Sequence, residues 1–236
     1  MNIVISQPRY LPAINYLQRL YFSDFFILLD NVQRQSRGYE NRNKLLTPTT
    51  KWLSIPIESS SRAAIFETKI TDSPSWISEH KNIIKSAYHK HPFFDENILE
   101  TLYTGMEGKL FFTDAVETFL DNSCSLINFK PNMIRASNLL GKSKESGVVN
   151  IVNLVDRIEA DNKVYVSGSN GRDYGILGAF RQRGVEVCFH DWTPNEYRQK
   201  NQIDFIPYIA FIDYIFNMGV DKLENVVKSE PEFFYE

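Results

Sequence analysis

Cysteine is scarce: Cys124 and Cys188 are the only two in 236 residues. They are too few and too far apart for a disulfide scaffold or for the paired spacing of a zinc site, and both read as buried thiols. A basic excess is also missing. With 26 Lys and Arg against 29 Asp and Glu, for a formal charge of -3, nothing favours non-specific attraction to nucleic acid, and no nucleic-acid partner is expected. Long apolar runs are absent as well, Phe25-Phe26-Ile27-Leu28-Leu29 being far too short to span a bilayer, so no membrane insertion is expected. The first strand candidate starts at Asn2 without a basic leader, which makes a poor signal peptide and predicts a reducing, cytoplasmic setting. The histidines are few. His80, His89, His91 and His190 match neither an HExxH nor a facial-triad spacing, so they give no support to a metal site.

What is present is a large apolar content, 43% of positions with 14% aromatic, enough to bury a full core. One domain spanning residues 1–236 is expected. Ile3 to Ile5 and Phe25 to Leu29 are short apolar runs on either side of Ile14 to Phe22, whose apolar residues recur at helical spacing. This predicts a strand, helix, strand unit with adjacent parallel strands. Trp52 to Ile57 and Ile65 to Ile70 read as strands around the turn Ser59-Ser60-Ser61, suggesting a hairpin added to the sheet edge. Three helices are expected over Pro74 to Tyr88, Phe93 to Met106 and Leu110 to Asn128, started by Ser73-Pro74 and Asp95-Glu96. They would form a helical insertion over about residues 74–128. Strands at Asn132 to Ala136, Lys163 to Val166 and Val185 to Phe189 then alternate with helices at Val148 to Ile158 and Tyr174 to Arg183. Helices at Phe205 to Phe216 and Leu223 to Val227 close the chain. The alternation predicts an α/β fold: a three-layer, mostly parallel, Rossmann-like sheet.

Functional groups of such a sheet collect at the C-terminal ends of its strands, where Gln7 and Asp30 fall. The segment Ser6-Gln7-Pro8-Arg9-Tyr10-Leu11-Pro12 is stiffened by its prolines and can aim Gln7, Arg9 and Tyr10 at one point. Its plainer reading is a turn that starts a helix. Asp30-Asn31-Val32-Gln33 and Tyr39-Glu40-Asn41-Arg42-Asn43-Lys44 gather amides and guanidiniums suited to a polar, anionic ligand, or else form a solvated loop. Ser167-Gly168-Ser169-Asn170-Gly171-Arg172-Asp173-Tyr174 follows a strand and precedes a helix, as anion sites do. It lacks both the dinucleotide and the P-loop glycine spacing, and a plain turn is its alternative. Trp76 and His80 share one helix face, and His80 can act as general acid or base if the fold brings it to the loop. Asp213, inside the apolar stretch Phe211 to Phe216, needs a partner or faces the site, with Asn217 and Gly219 as the helix end.

In this order, QPRYLP, DNVQ, NRNK, a tryptophan four before His80, SGSNGRDY and FIDYIFNMG resemble the WbqC-like family over nearly the whole chain. The resemblance implies bacterial proteins often encoded with surface-polysaccharide genes, O-antigen clusters among them. It also implies a histidine at the position of Ser6 and a tryptophan at that of Ala13, so histidine chemistry at residue 6 is not carried over. The matched positions are Gln7, Tyr10, Asp30, Gln33, Asn41, Arg42, His80, Ser167, Gly168, Tyr174 and Asp213.

The expected function is that of a transferase modifying the amine of an amino sugar, nucleotide-linked, in bacterial surface-polysaccharide or O-antigen (lipopolysaccharide) biosynthesis. His80 or Asp30 would take the amine proton. Arg42 and the Ser167-Gly168 turn would hold phosphate or carboxylate and Gln7 and Tyr10 would orient hydroxyls, with Arg9, Gln33, Asn41, Asn43, Arg172, Tyr174 and Asp213 as further substrate-binding residues. An ATP-dependent ligase or nucleotidyltransferase of the same pathway and a non-catalytic ligand-binding or scaffold protein are the alternatives. No cofactor is identified.

Overall fold

The computed structural model describes residues 1–35, 38–46, 50–58, 63–71, 75–145, 147–200, 202–231 and 233–235, and the backbone but not the side chains of Asn170 and Tyr174. Ser59-Ser60-Ser61 and Ser73-Pro74 therefore lie outside the described residues.

The chain opens with β1 (Asn2–Ser6), α1 (Ile14–Phe22) and β2 (Phe25–Leu28). Ile3 pairs with Phe25 and Ser6 with Leu28 in parallel register, as the strand, helix, strand reading requires. A hairpin of β3 (Arg42–Leu45) and β4 (Lys51–Ser54) follows, then α2 (Trp76–Tyr88), α3 (Glu96–Tyr103) and α4 (Phe112–Ser125). The rest comprises β5 (Met133–Arg135), α5 (Ala136–Leu140), α6 (Val148–Asp156), β6 (Val164–Gly168), α7 (Ile176–Arg181), β7 (Glu186–His190), α8 (Phe211–Met218), α9 (Val220–Lys228) and β8 (Phe233–Tyr235). Among the described residues the main sheet has six strands in the order β5-β2-β1-β6-β7-β8, parallel except for β8.

Successive side chains of a strand point to opposite faces, so a strand buried on both sides reads as an unbroken apolar run. Val4, Phe26, Leu28, Val166 and Cys188 pack on one face with Leu17 and Leu20 of α1, Phe119 of α4, Phe216 of α8 and Leu223 of α9. Ile3, Ile5, Ile27, Val187 and Phe189 pack on the other with Val152 of α6 and Phe180 of α7. The architecture is a three-layer, Rossmann-like α/β fold. From β1 the chain crosses by α1 to β2 on one side, while β6 crosses by α7 to β7 on the other, over the opposite face. The crevice between the C-terminal ends of β1 and β6 is therefore a topological switch point.

Several local expectations are corrected. The hairpin uses residues 42–45 and 51–54, pairing Arg42 with Ser54, and forms a separate two-stranded sheet. Polar as it looks, β3 alternates: Asn43 and Leu45 are buried, while Arg42 and Lys44 lie over the Trp52 ring at 4.5 and 5.3 Å. The expected strand at 65–70 contains a 3-10 turn, Ile65–Glu67, because the Glu67 carboxylate turns back to accept from the Ala64 amide. The helix expected from Phe205 begins only at Phe211. Pro207 disfavours helix before it, and Tyr208 stands at φ +58°. The helix expected from Tyr174 begins at Ile176, because Gly175 adopts φ +67° and the preceding Ser169–Tyr174 form a 3-10 turn. Three elements had no sequence expectation: β3, α5 and the antiparallel edge strand β8.

Candidate active site

A cavity of about 550 Å³ lies at the switch point. Its floor is made by strand ends: Ser6 from β1, Tyr165, Ser167 and Gly168 from β6, and His190 from β7. Parallel register places Gly168 beside His190. Arg9, Tyr10, Pro12 and Ala13 of the stiff opening turn form one wall, continued by Asn15, Tyr16 and Arg19 of α1. Tyr39, Asn43, Trp192 and Tyr208 complete the rim. No carboxylate lines the cavity among the described residues.

The electrostatics follow from that composition. Arg9 and Arg19 form no ion pair with any described carboxylate. Instead each guanidinium lies against an aromatic ring, Arg9 over Tyr39 at 5.7 Å and Arg19 over Tyr16 at 5.5 Å. Burial lowers the Arg19 pKa to about 10, and the nearby Arg9 charge pushes the same way. Arg19 still carries its charge at neutral pH. The buried Nε of Arg19 and Nε2 of His190 have no hydrogen-bond partner among the described residues. Burial, helped by Arg19, drops the His190 pKa to about 4, leaving a neutral imidazole at pH 7. Gly168 permits the close approach of Arg19: a Cβ there would stand 3.1 Å from Nη1.

Of the residues singled out in the sequence, Arg9, Tyr10, Asn43, Ser167 and Gly168 meet in this cavity. The others, Tyr174 aside, stand apart from it. Asp30 is fully buried, its two oxygens accepting from the Ser137 amide and hydroxyl, both at 2.8 Å; burial raises its pKa. His80 lies behind the wall, its Nδ1 2.8 Å from the Tyr10 hydroxyl, which also bonds the Tyr103 hydroxyl. Burial holds His80 at about 4 and the Tyr10 phenol well above its usual range, so this chain is a neutral tether near pH 7. Gln7 contributes its carbonyl to the Tyr16 hydroxyl at 3.0 Å, Asn41 donates to the Ile55 carbonyl, and exposed Gln33 bridges to Ala64. Arg42 donates to the Gly38 carbonyl and stacks on Trp52. Arg172 pairs with Asp191 at 2.8 Å and lies over Phe189. Asp213 accepts from the Tyr197 hydroxyl at 2.7 Å, and burial raises its pKa to about 6. The Tyr174 side chain lies outside the described residues.

Sequence reasoning missed Arg19, Tyr16, Asn15, Tyr165, His190, Trp192 and Tyr208. Two of these carried a signal. Arg19 follows Tyr16 by three positions on an amphipathic helix, so both share one face. His190 ends an apolar strand, where a sheet of this kind places its ligand. Among the described residues no cluster of three metal-ligating side chains occurs, and no helix is long and apolar enough to cross a membrane.

Comparison with known proteins gives a whole-chain relation. The chain is similar to Rv1507c, an uncharacterised protein of Mycobacterium tuberculosis, with 25% identity over 228 residues covering 93% of this chain and 95% of the relative. No solved structure matches it. The WbqC-like protein family matches residues 7–225, a span that includes the opening turn from Gln7 onward, α1 and the β6 and β7 ends of the cavity, and the chain belongs to that family.

Proposed function

We propose that the protein binds a nucleotide-linked amino sugar in the switch-point cavity and transfers a substituent to its amine, as a step of bacterial surface-polysaccharide or O-antigen synthesis. One observation carries the reading: a carboxylate-free cavity of about 550 Å³ that holds two guanidiniums without an acidic partner. Its size suits a ligand of nucleotide-sugar class. A diphosphate supplies the missing negative charge for Arg9 and Arg19, where fork-shaped donors take two oxygens at once. Asn15, Asn43, Ser167 and Ser169 offer donors and acceptors for sugar hydroxyls, and Tyr39, Trp192 and Tyr208 offer ring faces to a base. The polysaccharide pathway enters through the family resemblance alone.

In the transfer, the sugar amine attacks the carbonyl carbon of an activated acyl donor. A C–N bond forms, the bond to the leaving group breaks, and the amine proton passes to His190 and from there to the leaving group. Among the described groups on the cavity wall, His190 is the imidazole, neutral at pH 7 and too weak a base to hold the proton, so it relays it to the leaving group. His80 is then a positioning residue, acting through Tyr10, and Asp30 holds the β2 end through Ser137.

Thermal shift against a panel of nucleotide-linked amino sugars and ATP, followed by mass spectrometry of the sugar, tests the proposal. Stabilisation by the amino-sugar nucleotides and a mass gain on the sugar are expected. Stabilisation by ATP alone points instead to the ligase or nucleotidyltransferase, and binding without any mass change to the non-catalytic protein.

A further inference from the structure

A second, smaller chamber of about 110 Å³ adjoins the cavity and shares Ala13, Trp192 and Tyr208 with it. Its other walls are mainly apolar, with Phe205, Ile209, Phe211, Tyr214, Met218 and Val226 among them, beside Asn195 and Glu196 on one side. The partition is built from two rings, Trp192 and Tyr208, whose centroids are 6.0 Å apart in an edge-to-face arrangement. Tyr208 reaches that place with φ +58°. A bulky residue rarely adopts this left-handed backbone, and it persists only where the surroundings impose it.

We infer that the small chamber receives the acyl chain of the second substrate, an acyl thioester, while the large cavity holds the anionic sugar. The inference rests on the function proposed above and names the donor of that same site. A methylene takes roughly the volume of a water molecule, about 30 Å³, so a chamber of about 110 Å³ admits a chain of about four carbons. With the chain seated there, the thioester carbonyl lies at the partition, next to the cavity that holds the amine. The amine nitrogen then bonds to that carbonyl carbon, the C–S bond breaks, and the departing thiolate takes the proton released by the amine. Products are an amide and a free thiol.

The test uses N-acetylcysteamine thioesters carrying acetyl, butanoyl, hexanoyl and octanoyl chains. They bear no phosphate and leave the guanidiniums unengaged. Calorimetric titration of the whole protein is expected to show affinity rising by about threefold to fourfold per methylene up to butanoyl and falling again by octanoyl. Ile206→Phe fills the chamber from a half-buried position whose backbone is held independently by Gln199, through bonds of 2.8 and 2.9 Å. This variant is expected to move the optimum to acetyl without changing the thermal shift given by the amino-sugar nucleotide. A flat or steadily rising wild-type profile overturns the inference, with or without a folded variant. So does an Ile206→Phe profile that matches the wild type. A butanoyl optimum without any shift by the sugar nucleotide leaves the chamber standing and overturns the sugar-binding function instead.

Discussion

A guanidinium drawn partly out of water with no described carboxylate beside it is costly, and at Arg19 the cost is partly offset by the Tyr16 ring. Such a group is worth keeping where an anion comes to it. Arg19→Gln is therefore expected to weaken nucleotide-sugar binding by about tenfold to a hundredfold, the range of one lost charge-assisted hydrogen bond. The melting temperature of the free protein should not fall. Titration and thermal melts of the same variant check both halves. Asp213 presents the opposite case, a buried carboxylate whose pKa is raised to about 6 by desolvation. A raised folded-state pKa means its favourable contribution is complete below the unfolded value near 4 and is lost as pH rises through about 6. Asp213→Asn keeps an acceptor for Tyr197 and removes that penalty. It should stabilise the protein by about 1–2 kcal/mol at pH 7.5, with the gain gone at pH 4, as read from denaturant melts. Asp213 and Arg19 also differ in how they appear in the sequence. A carboxylate amid Phe211, Ile212, Tyr214 and Ile215 is conspicuous, yet its partner is Tyr197 and not a ligand. Arg19, among ordinary helical residues, is drawn to the cavity by the burial of its helix's other face.

At the scale of elements, the cavity depends on how closely α1 and β6 approach. A Cβ on Gly168 would meet the Arg19 guanidinium at 3.1 Å, and one on Gly171 would meet the Ser167 hydroxyl at 2.0 Å. The first obstacle is the end of a flexible side chain, whereas the second is a short side chain on a buried strand. Gly168→Ala is accordingly expected to reduce ligand affinity with an unchanged melting temperature, and Gly171→Ala to destabilise by about 1–3 kcal/mol. Calorimetry on the pair separates the two effects. The crossovers were legible because apolar period and length agree along β1, α1 and β2. The hairpin was not. Arg42-Asn43-Lys44-Leu45 looks like a polar loop until Trp52 covers its cations, and Ile65 to Ile70 looks like a strand until Glu67 caps the Ala64 amide. In both places a contact made only in the folded chain decides the backbone.

On the scale of the whole molecule, buried imidazoles dominate the response to acid, His80 and His190 with the largest shifts and His91 lowered in the same direction by burial. His80 and His190 are both held at about 4, chiefly by burial, against about 6.5 unfolded. A lowered folded-state pKa contributes stability above the unfolded value and loses it as pH falls from about 6.5 through about 4, on the order of 3 kcal/mol for each histidine. Asp213 works against this loss over the same interval, so Asp213→Asn should show a steeper fall in melting temperature between pH 6.5 and 4 than the wild type. A shallower fall would contradict the assignment of these groups. That functional groups gather at the C-terminal ends of the strands was legible from strand and helix alternation, but the site was expected beside Asp30 at the β2 end, whereas the cavity that Arg9, Ser167 and Gly168 line opens between β1 and β6. The division of labour around Tyr10 was not, because only the packing of α2 against the opening turn ties its hydroxyl to His80.

The central claim is that the cavity between β1 and β6 binds an anionic sugar nucleotide through Arg9 and Arg19. Its most direct test is calorimetric titration of the wild type, Arg9→Gln and Arg19→Gln with the amino-sugar nucleotide that gives the largest thermal shift. The account predicts saturable wild-type binding, weakened at least tenfold by either substitution, the loss of about one charge-assisted hydrogen bond. Equal affinity in all three proteins would contradict it.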